Sequence, residues 1–289
     1  MSFLSVSSRI DRARRSWAAK LLRKPGAVAG AVIVLVAVLT AILAPWIAPH
    51  PPTKIYYEAV QAPPSWQHPF GTDQLGRDVL SRVIYGARIS MTVGVIVVAI
   101  GLSFGTLLGL LAGYYQGWVD QVVMRVMEIL LAFPEILLAI AIVAILGPDL
   151  NNTMIAVGIS VIPVYALTVR SSVLSILERE YIQAARALGA SNLWIIFHHV
   201  LPNVASPILV VATVNVGVAI LVAAGLRYVG LGAQPPTPEW GSMLSQARDY
   251  LQTSWWIATF PGLAITLVVL GFNLLGDALR DLIDPRSSK

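Results

Sequence analysis

Apolar residues occur in six long runs, separated by segments that are charged, polar or rich in proline. A helix needs about 20 consecutive apolar residues to cross the hydrocarbon core of a bilayer. The pattern therefore predicts an all-α membrane protein with six transmembrane helices. The predicted spans cover residues 27–48, 89–114, 122–146, 153–169, 205–225 and 255–275.

The polar segments between these runs predict how the chain is organised. Residues 1–24 form a basic cytosolic amino-terminal segment, and residues 25–289 form one transmembrane domain. Most of the 20 Lys and Arg residues lie in this first segment, in the 170–203 loop or near the carboxyl end. Cytosolic loops carry an excess of Lys and Arg. Both termini and the 170–203 loop are therefore predicted to be cytosolic, and the 49–88 and 226–254 loops to lie outside.

Composition excludes several other classes of protein. Hydrophobic residues make up 56% of the chain and charged residues 12%, with a mean hydropathy of +0.73, which is outside the usage of soluble globular domains. There is no cysteine, so disulfides, thiol catalysis and cysteine-based metal sites are excluded. The net charge of +5 is attributed to membrane topology rather than to nucleic-acid binding. The first apolar run is longer than the apolar region of a cleaved signal peptide, which is roughly 7–15 residues. This run is therefore predicted to be a span.

Four glycines recur every four residues in the second apolar run, at Gly101, Gly105, Gly109 and Gly113. Residues four apart lie on one face of a helix. That face carries no side chains, so it predicts close packing against another helix.

Ionisable and polar residues in the third and fifth runs are candidates for the translocation path. Arg125 and Glu128 are three residues apart, which predicts an ion pair near the inner boundary. Glu135 lies deeper, beside a kink expected at Pro134, and charged groups inside membranes usually face a bundle interior or an aqueous path. Asn215 either bridges two helices by a hydrogen bond or lines the path.

Two outer stretches have distinct patterns. Thr72 is a possible N-cap, and the run from there to Arg88 is read either as a helix at the outer interface or as an extension of the second span. The proline-rich residues 234–241 are predicted to form a rigid segment that presents a surface.

Residues 178–203 predict a helix, a sharp bend and a second helix. Alanines and acidic residues favour a helix over residues 178–188. Gly189 is a candidate left-handed C-cap, and Ser191 can cap the second helix. Pro202 is predicted to close the unit before the fifth span.

Catalytic motifs are missing from the sequence. It contains neither the phosphate-binding pattern Gly-x-x-x-x-Gly-Lys-[Ser/Thr] nor a Gly-x-Ser-x-Gly elbow. The sequence has four histidines, and their spacing is not that of a metal site: His50, His68, His198 and His199. The chain is therefore predicted to be no enzyme on its own, with no catalytic residue, metal or cofactor.

Several blocks resemble permease subunits of ABC-type importers. The pattern Gln183-Ala184-Ala185, Gly189, Leu201-Pro202 is similar to their EAA loop, with Gln183 in place of the usual glutamate and His199 in place of an aliphatic residue. Further blocks resemble the second permease subunit of dipeptide/oligopeptide importers, in the peptide/nickel branch. These are HPFGTDQLGRD at 68–78, LAFP at 131–134, GLGAQPPTPEWG at 230–241, NLLGD at 273–277 and DPR at 284–286.

The resemblance implies a six-span fold of the EAA-loop type in the bacterial cytoplasmic membrane. It implies pairing with a homologous permease subunit, two ATPase subunits that bind ATP and Mg, and an extracytoplasmic substrate-binding protein. The residues implied in ATPase coupling are Gln183, Ala184, Ala185, Arg186, Leu188, Gly189, Leu201 and Pro202. The outer residues Arg77, Asp78, Glu239 and Trp240 are, as a hypothesis, where the binding protein rests.

The function implied by the resemblance is ATP-driven import of dipeptides or oligopeptides, with this chain forming half of the path. Nickel, glutathione and haem-like compounds are alternative substrates within the branch. A proton-coupled secondary carrier or a membrane scaffold remains as an alternative from another class. A carrier of that kind would need a relay of acids within the membrane, and Glu135 is the one acid predicted deep in a span.

Overall fold

The computed structural model describes residues 24–232 and 236–283, which form a bundle of helices. The predictions for the basic amino-terminal segment, for residues 233–235 and for the DPR block lie outside the described residues. The helices are α1 (Pro25–Ile47), α2 (Val79–Tyr115), α3 (Gly117–Leu131), α4 (Glu135–Leu146), α5 (Leu150–Leu177), α6 (Glu180–Ala187), α7 (Asn192–Ile195), α8 (Leu201–Tyr228), α9 (Trp240–Ala247) and α10 (Trp256–Ile283).

Five continuous helical units within residues 24–232 and 236–283 are long and apolar enough to cross a membrane. They are α1, α2, α5, the α7–α8 unit and α10. The helices α3 and α4 pass the same test only as a pair, which is bent by 94°. The predicted six spans are thus present if this bent pair counts as one of them.

The break between α3 and α4 is where the sequence placed a kink. Pro134 immediately precedes α4 and has an extended backbone, with φ −54° and ψ 133°. Proline lacks an N–H and disfavours helical geometry at the residue before it, so α3 ends at Leu131. The predicted kink is confirmed, and the third span predicted over 122–146 corresponds to the bent pair of α3 and α4.

The second span is longer than the predicted 89–114. Its helix begins after Thr72, the residue that was predicted as a possible N-cap. The helix α2 starts at Val79 and runs for 37 residues. Its N-cap is Asp78, whose Oδ2 accepts a hydrogen bond from the Ser81 N–H at 2.7 Å. Thr72 instead pairs with Asp78 in an isolated antiparallel bridge. The extension of the second span is therefore confirmed, and the separate interfacial helix and the Thr72 N-cap are wrong.

The fifth span also begins earlier than predicted. The helix α7 continues through a π-helical turn, Ile196–Val200, directly into α8. Pro202 lies in the first turn of α8, where the missing N–H of a proline is tolerated. The prediction that Pro202 closes the unit is therefore wrong, and helical structure runs unbroken over Asn192–Tyr228.

The glycine stripe on α2 packs directly against α5, as predicted. A Cβ at Gly101 would lie 2.6 Å from Val161 Cγ2, and one at Gly113 would lie 2.9 Å from Val173 Cβ. Such distances are shorter than van der Waals contact, so no side chain fits there. The two helices therefore form a close pair at the centre of the bundle, and they reach from the outer loops to the 178–203 segment.

Candidate functional site

The 178–203 segment, which we call the coupling segment, contains the predicted helix, bend and second helix. After α6, Gly189 has φ +81°. The Gly189 N–H donates to Arg186 O and the Ala190 N–H donates to Ala185 O, both at 3.0 Å. These two bonds are the Schellman motif, which favours glycine because of the positive φ. Ser191 then caps α7 through a hydrogen bond from the Trp194 N–H, so both caps are confirmed.

One face of α6 is exposed and carries the residues implied in coupling. Gln183, Ala184, Arg186 and Gly189 are exposed, and Ala185 is half-buried. Leu188 is 88% exposed at the end of the helix. Large apolar side chains at such exposure, beside a patch of small residues, are typical of a surface that contacts another protein. Leu201 is half-buried and Pro202 exposed at the start of α8, beyond the π-helical turn.

The opposite face of α6 fixes the coupling segment to the membrane bundle. Ile182 is fully buried in an apolar cluster with residues of α5 and of the π-helical turn, among them Val173, Leu177 and Val200. Burying a side chain of this size stabilises by roughly 1.5–3 kcal/mol. The coupling segment is therefore packed onto the ends of the spans rather than hanging from a free loop.

Tyr114 at the end of α2 connects both halves of the coupling segment to that helix. Its hydroxyl donates to Asn192 Oδ1 at 2.9 Å, and the Arg186 guanidinium lies 5.7 Å from its ring centroid, within the range of a cation–π contact. These contacts link α6 and α7 to the close α2–α5 pair. The sequence analysis missed Tyr114 because an aromatic residue at the end of an apolar run is usual at membrane interfaces.

An ion pair between α3 and α5 was also missed. Arg170 donates from Nε and Nη2 to the two carboxylate oxygens of Asp120, at 2.5 and 2.6 Å. This bidentate geometry is the strong form of an arginine–carboxylate pair. The predicted pair of Arg125 and Glu128 is confirmed at 3.0 Å, but both of its side chains are largely exposed. The Asp120–Arg170 pair therefore does more to hold the bent third span against the bundle.

The two residues proposed for the path lie in different surroundings. Asn215 lines a cavity of about 480 Å³ between α5, α8 and α10, together with the polar residues Thr168, Asp277 and Arg280. Glu135 is not among the residues that line this cavity. It lies at the first position of α4, and its Oε1 is buried with no hydrogen-bond partner among the described residues.

The two outer blocks interlock instead of presenting separate surfaces. The Arg77 Nε donates to Asp73 Oδ2 at 2.7 Å, and its Nη2 donates to Oε1 of Gln246, in the last turn of α9, at 2.9 Å. The Trp240 Nε1 donates to Val83 O at 2.9 Å. The outer loops are thus joined to each other and to the start of α2.

The four outer residues proposed for docking are buried. Arg77 is 2% exposed, Asp78 0%, Glu239 6% and Trp240 2%. Glu239 caps α9 by accepting hydrogen bonds from the Gly241 and Ser242 N–H groups. Burial raises the pKa of the Glu239 carboxyl, and these two hydrogen bonds oppose that rise. The four side chains are thus enclosed by the chain itself, and docking of a binding protein at the outer segments around them stays a prediction.

Three residues far apart in the sequence come together beside the start of α2. One ring nitrogen of His50, one of His68 and a carboxylate oxygen of Asp78 all lie within 4.8 Å of one another. The sequence spacing gave no sign of this cluster, because the 49–78 region has no regular periodicity that relates its residues. The prediction that the chain holds no metal was made from sequence spacing alone, and it stays a prediction.

Comparison with known proteins gives consistent results along the chain. The family described as "Binding-protein-dependent transport system inner membrane component" matches residues 105–289. The "N-terminal TM domain of oligopeptide transport permease C" matches residues 12–64. A crystal structure of an amino acid ABC transporter with histidines has a similar fold, with a TM-score of 0.51 and 17% identity over 71% of this chain and 94% of that chain.

Full-length relatives have higher identity. The dipeptide transport system permease protein DppC of Alkalihalophilus pseudofirmus is 56% identical over 223 residues, which are 77% of this chain and 73% of the relative. The di/tripeptide transport system permease protein DppC of Pseudomonas aeruginosa is 48% identical over 90% of this chain and 88% of the relative. The glutathione transport system permease protein GsiD of Escherichia coli O6:K15:H31 is 48% identical over 96% of this chain and 92% of the relative.

The apolar helices and these relatives together make this chain a multi-pass permease subunit of an ABC transporter in the bacterial inner membrane. It belongs to the family of binding-protein-dependent transport system inner membrane components.

Proposed function

We propose that the chain is a permease subunit of an ATP-driven importer of dipeptides or oligopeptides. The observation that carries this proposal is the 48–56% identity to two permeases named for dipeptide or di/tripeptide transport. The coupling segment supports the ATP-driven mechanism, since it combines an exposed apolar end at Leu188 with firm anchoring at Ile182.

The proposed partners follow from this mechanism. The chain pairs with a homologous permease subunit, and each half of the path comes from one of them. Two ATPase subunits bind ATP and Mg and grip the coupling segments, and an extracytoplasmic binding protein delivers substrate at the outer loops. Both termini of this chain lie in the cytosol, on the same side as the ATPases.

ATP-driven closure of the ATPase pair then moves α6 together with the spans to which it is fixed. Ile182 transfers the movement to α5 and Tyr114 transfers it to α2. Because α2 and α5 pack without intervening side chains, they move as one body. Rigid-body movement of packed helices is an established route to alternating access.

The path is proposed to include Asn215 and Glu135. Asn215 lines the cavity between α5, α8 and α10, where polar groups can contact a peptide backbone. Glu135 carries a buried carboxylate oxygen at the break of the third span. An ionisable group within a membrane domain is costly unless it faces water or a partner, which supports a place beside an aqueous passage.

An uptake assay in proteoliposomes tests the proposal. Vesicles hold this chain with its partner permease and ATPases, and they receive the binding protein with labelled dipeptide or glutathione. We expect uptake of the labelled dipeptide to require ATP on the side of the membrane where the ATPases lie. An excess of unlabelled dipeptide should abolish it. Uptake driven by a proton gradient without ATPase would favour a secondary carrier. Uptake of glutathione alone would favour the second candidate, for which GsiD is the supporting relative.

A crosslinking experiment tests the coupling segment separately. The chain has no cysteine, so Ala184→Cys introduces a single reactive thiol at an exposed position of α6. We expect a bifunctional thiol reagent to join this position to an ATPase subunit in the assembled transporter. Leu251 is exposed in the predicted outer loop between α9 and α10, so Leu251→Cys is the matched control and should form no such product. Equal crosslinking from both positions would contradict the docking model.

A further inference from the structure

The cluster of His50, His68 and Asp78 is held in place by hydrogen bonds that do not use its ring nitrogens. The His50 N–H donates to Ser81 Oγ at 3.0 Å, and the His68 N–H donates to Ser65 Oγ at 3.1 Å. Asp78 is fully buried, and its Oδ2 caps α2. The backbone positions of all three residues are therefore fixed independently of anything that their ring nitrogens or Oδ1 contact.

Both histidine rings direct Nδ1 at the same carboxylate oxygen. The distance to Asp78 Oδ1 is 2.8 Å from His68 Nδ1 and 3.7 Å from His50 Nδ1. The first is a hydrogen bond and the second is too long for one. His50 Nδ1 is buried and has no hydrogen-bond partner among the described residues. A buried polar atom without a partner costs free energy, so a ligand bound to this nitrogen would be stabilising.

We propose that His50, His68 and Asp78 form a binding site for a divalent first-row transition metal ion such as Zn²⁺. Ligands on one zinc ion lie about 3–4 Å apart, because Zn–N and Zn–O distances are about 2.0–2.2 Å. The His50–Asp78 separation of 3.7 Å already fits, the His68–Asp78 separation of 2.8 Å must open slightly as the ring proton moves from Nδ1 to Nε2, and all three ligand atoms lie within 4.8 Å of one another. Two imidazoles and one carboxylate are a ligand set that zinc accepts, with water in a fourth position.

The surroundings fit such an ion. The Tyr56 ring packs edge-on against both histidines, with centroids 5.5 Å from His50 and 5.1 Å from His68. It therefore shields one side of the cluster from solvent. The His50 side chain is 25% exposed, which leaves an entry for the ion and its water. The ion would connect three parts of the chain, which are the residues just after α1, the outer loop and the start of α2. It would thereby stabilise the outer loop.

The test measures zinc in the whole transporter, reconstituted in nanodiscs with every affinity tag removed. We compare the wild type with His50→Ala and His68→Gln, and we use His198→Ala as the matched control that removes an exposed histidine elsewhere. The wild type is expected to bind one more zinc per copy of this chain than either cluster variant. The cluster variants should lose at least about 10-fold in affinity, while His198→Ala retains it.

Two further readouts separate this site from adventitious binding. Zinc X-ray absorption should show imidazole nitrogen bound to the metal in the wild type but not in either cluster variant. Zinc should raise the thermal midpoint of the wild type but not that of His50→Ala. If wild type, His50→Ala and His68→Gln bind zinc equally, or if none binds it, the site is overturned. None of these measurements depends on transport, so failure of the peptide proposal would leave the result intact.

Discussion

Replacing Gly189 with valine is expected to reduce ATP-dependent uptake at least about 10-fold while the subunit remains folded in the membrane. Gly189 has φ +81°, and a left-handed conformation costs an L-residue about 1–2 kcal/mol, with more for a β-branched one. Nothing lies within 4 Å of the position that a Cβ would take. The strain therefore comes from the backbone conformation and not from a clash. It weakens the two hydrogen bonds of the Schellman motif, which set the direction of Leu188 and α7.

Gly189→Asn is the matched control for this prediction. Asparagine adds a side chain at the same exposed place but tolerates the left-handed region far better than valine does. Uptake and the crosslink from Ala184 should survive in Gly189→Asn and disappear together in Gly189→Val. Normal transport by the valine variant would show that the bend is not needed for coupling.

The sequence predicted spans well where apolar length alone decides the structure. The run at 27–48 corresponds to α1 within two residues at each end, and the run at 255–275 starts within one residue of α10, which continues to Ile283. The sequence left alternatives open where a polar segment adjoins a helix. The stretch before the second span fits either a separate helix or an extension of the span, because Arg77, Asp78 and Arg82 interrupt the apolar pattern. In the structure those charges are satisfied within the outer loops, and α2 simply starts at Val79.

Local cap chemistry made the coupling segment predictable, whereas long-range contacts made the outer blocks unpredictable. Gly189 and Ser191 act through bonds within five residues, which a sequence pattern encodes directly. The burial of Trp240 depends on Gly86, where a Cβ would lie 2.6 Å from Trp240 Cδ1. These two residues are far apart in the chain. A tryptophan beside prolines therefore looked like a presented surface, although it fills a gap against α2.

The α2–α5 contact supplies the second large expected effect, and here a glycine change should prevent folding. A Cβ at Gly105 would overlap Tyr165 Cβ and lie 2.8 Å from Ile162 O. Backbone atoms cannot turn away as a flexible side chain can, so the helices must separate. Overpacking of a well-packed core typically costs about 1–3 kcal/mol, and separation of α2 from α5 would also remove contacts at Gly101 and Gly109. Gly105→Val is therefore expected to reduce the amount of folded subunit in membranes severely.

Leu107→Val provides the control, since it introduces the same residue into the same helix at a position where the side chain is 54% exposed. Its abundance and thermal midpoint should match those of the wild type. A Gly105→Val subunit that accumulates normally and unfolds at the wild-type temperature would show that the α2–α5 pair can separate at little cost. In that case the two helices could not carry the movement of the coupling segment as one body. Gly189→Val and Gly105→Val thus test two successive links, since the first should uncouple a folded subunit and the second should remove the rigid pair through which coupling acts.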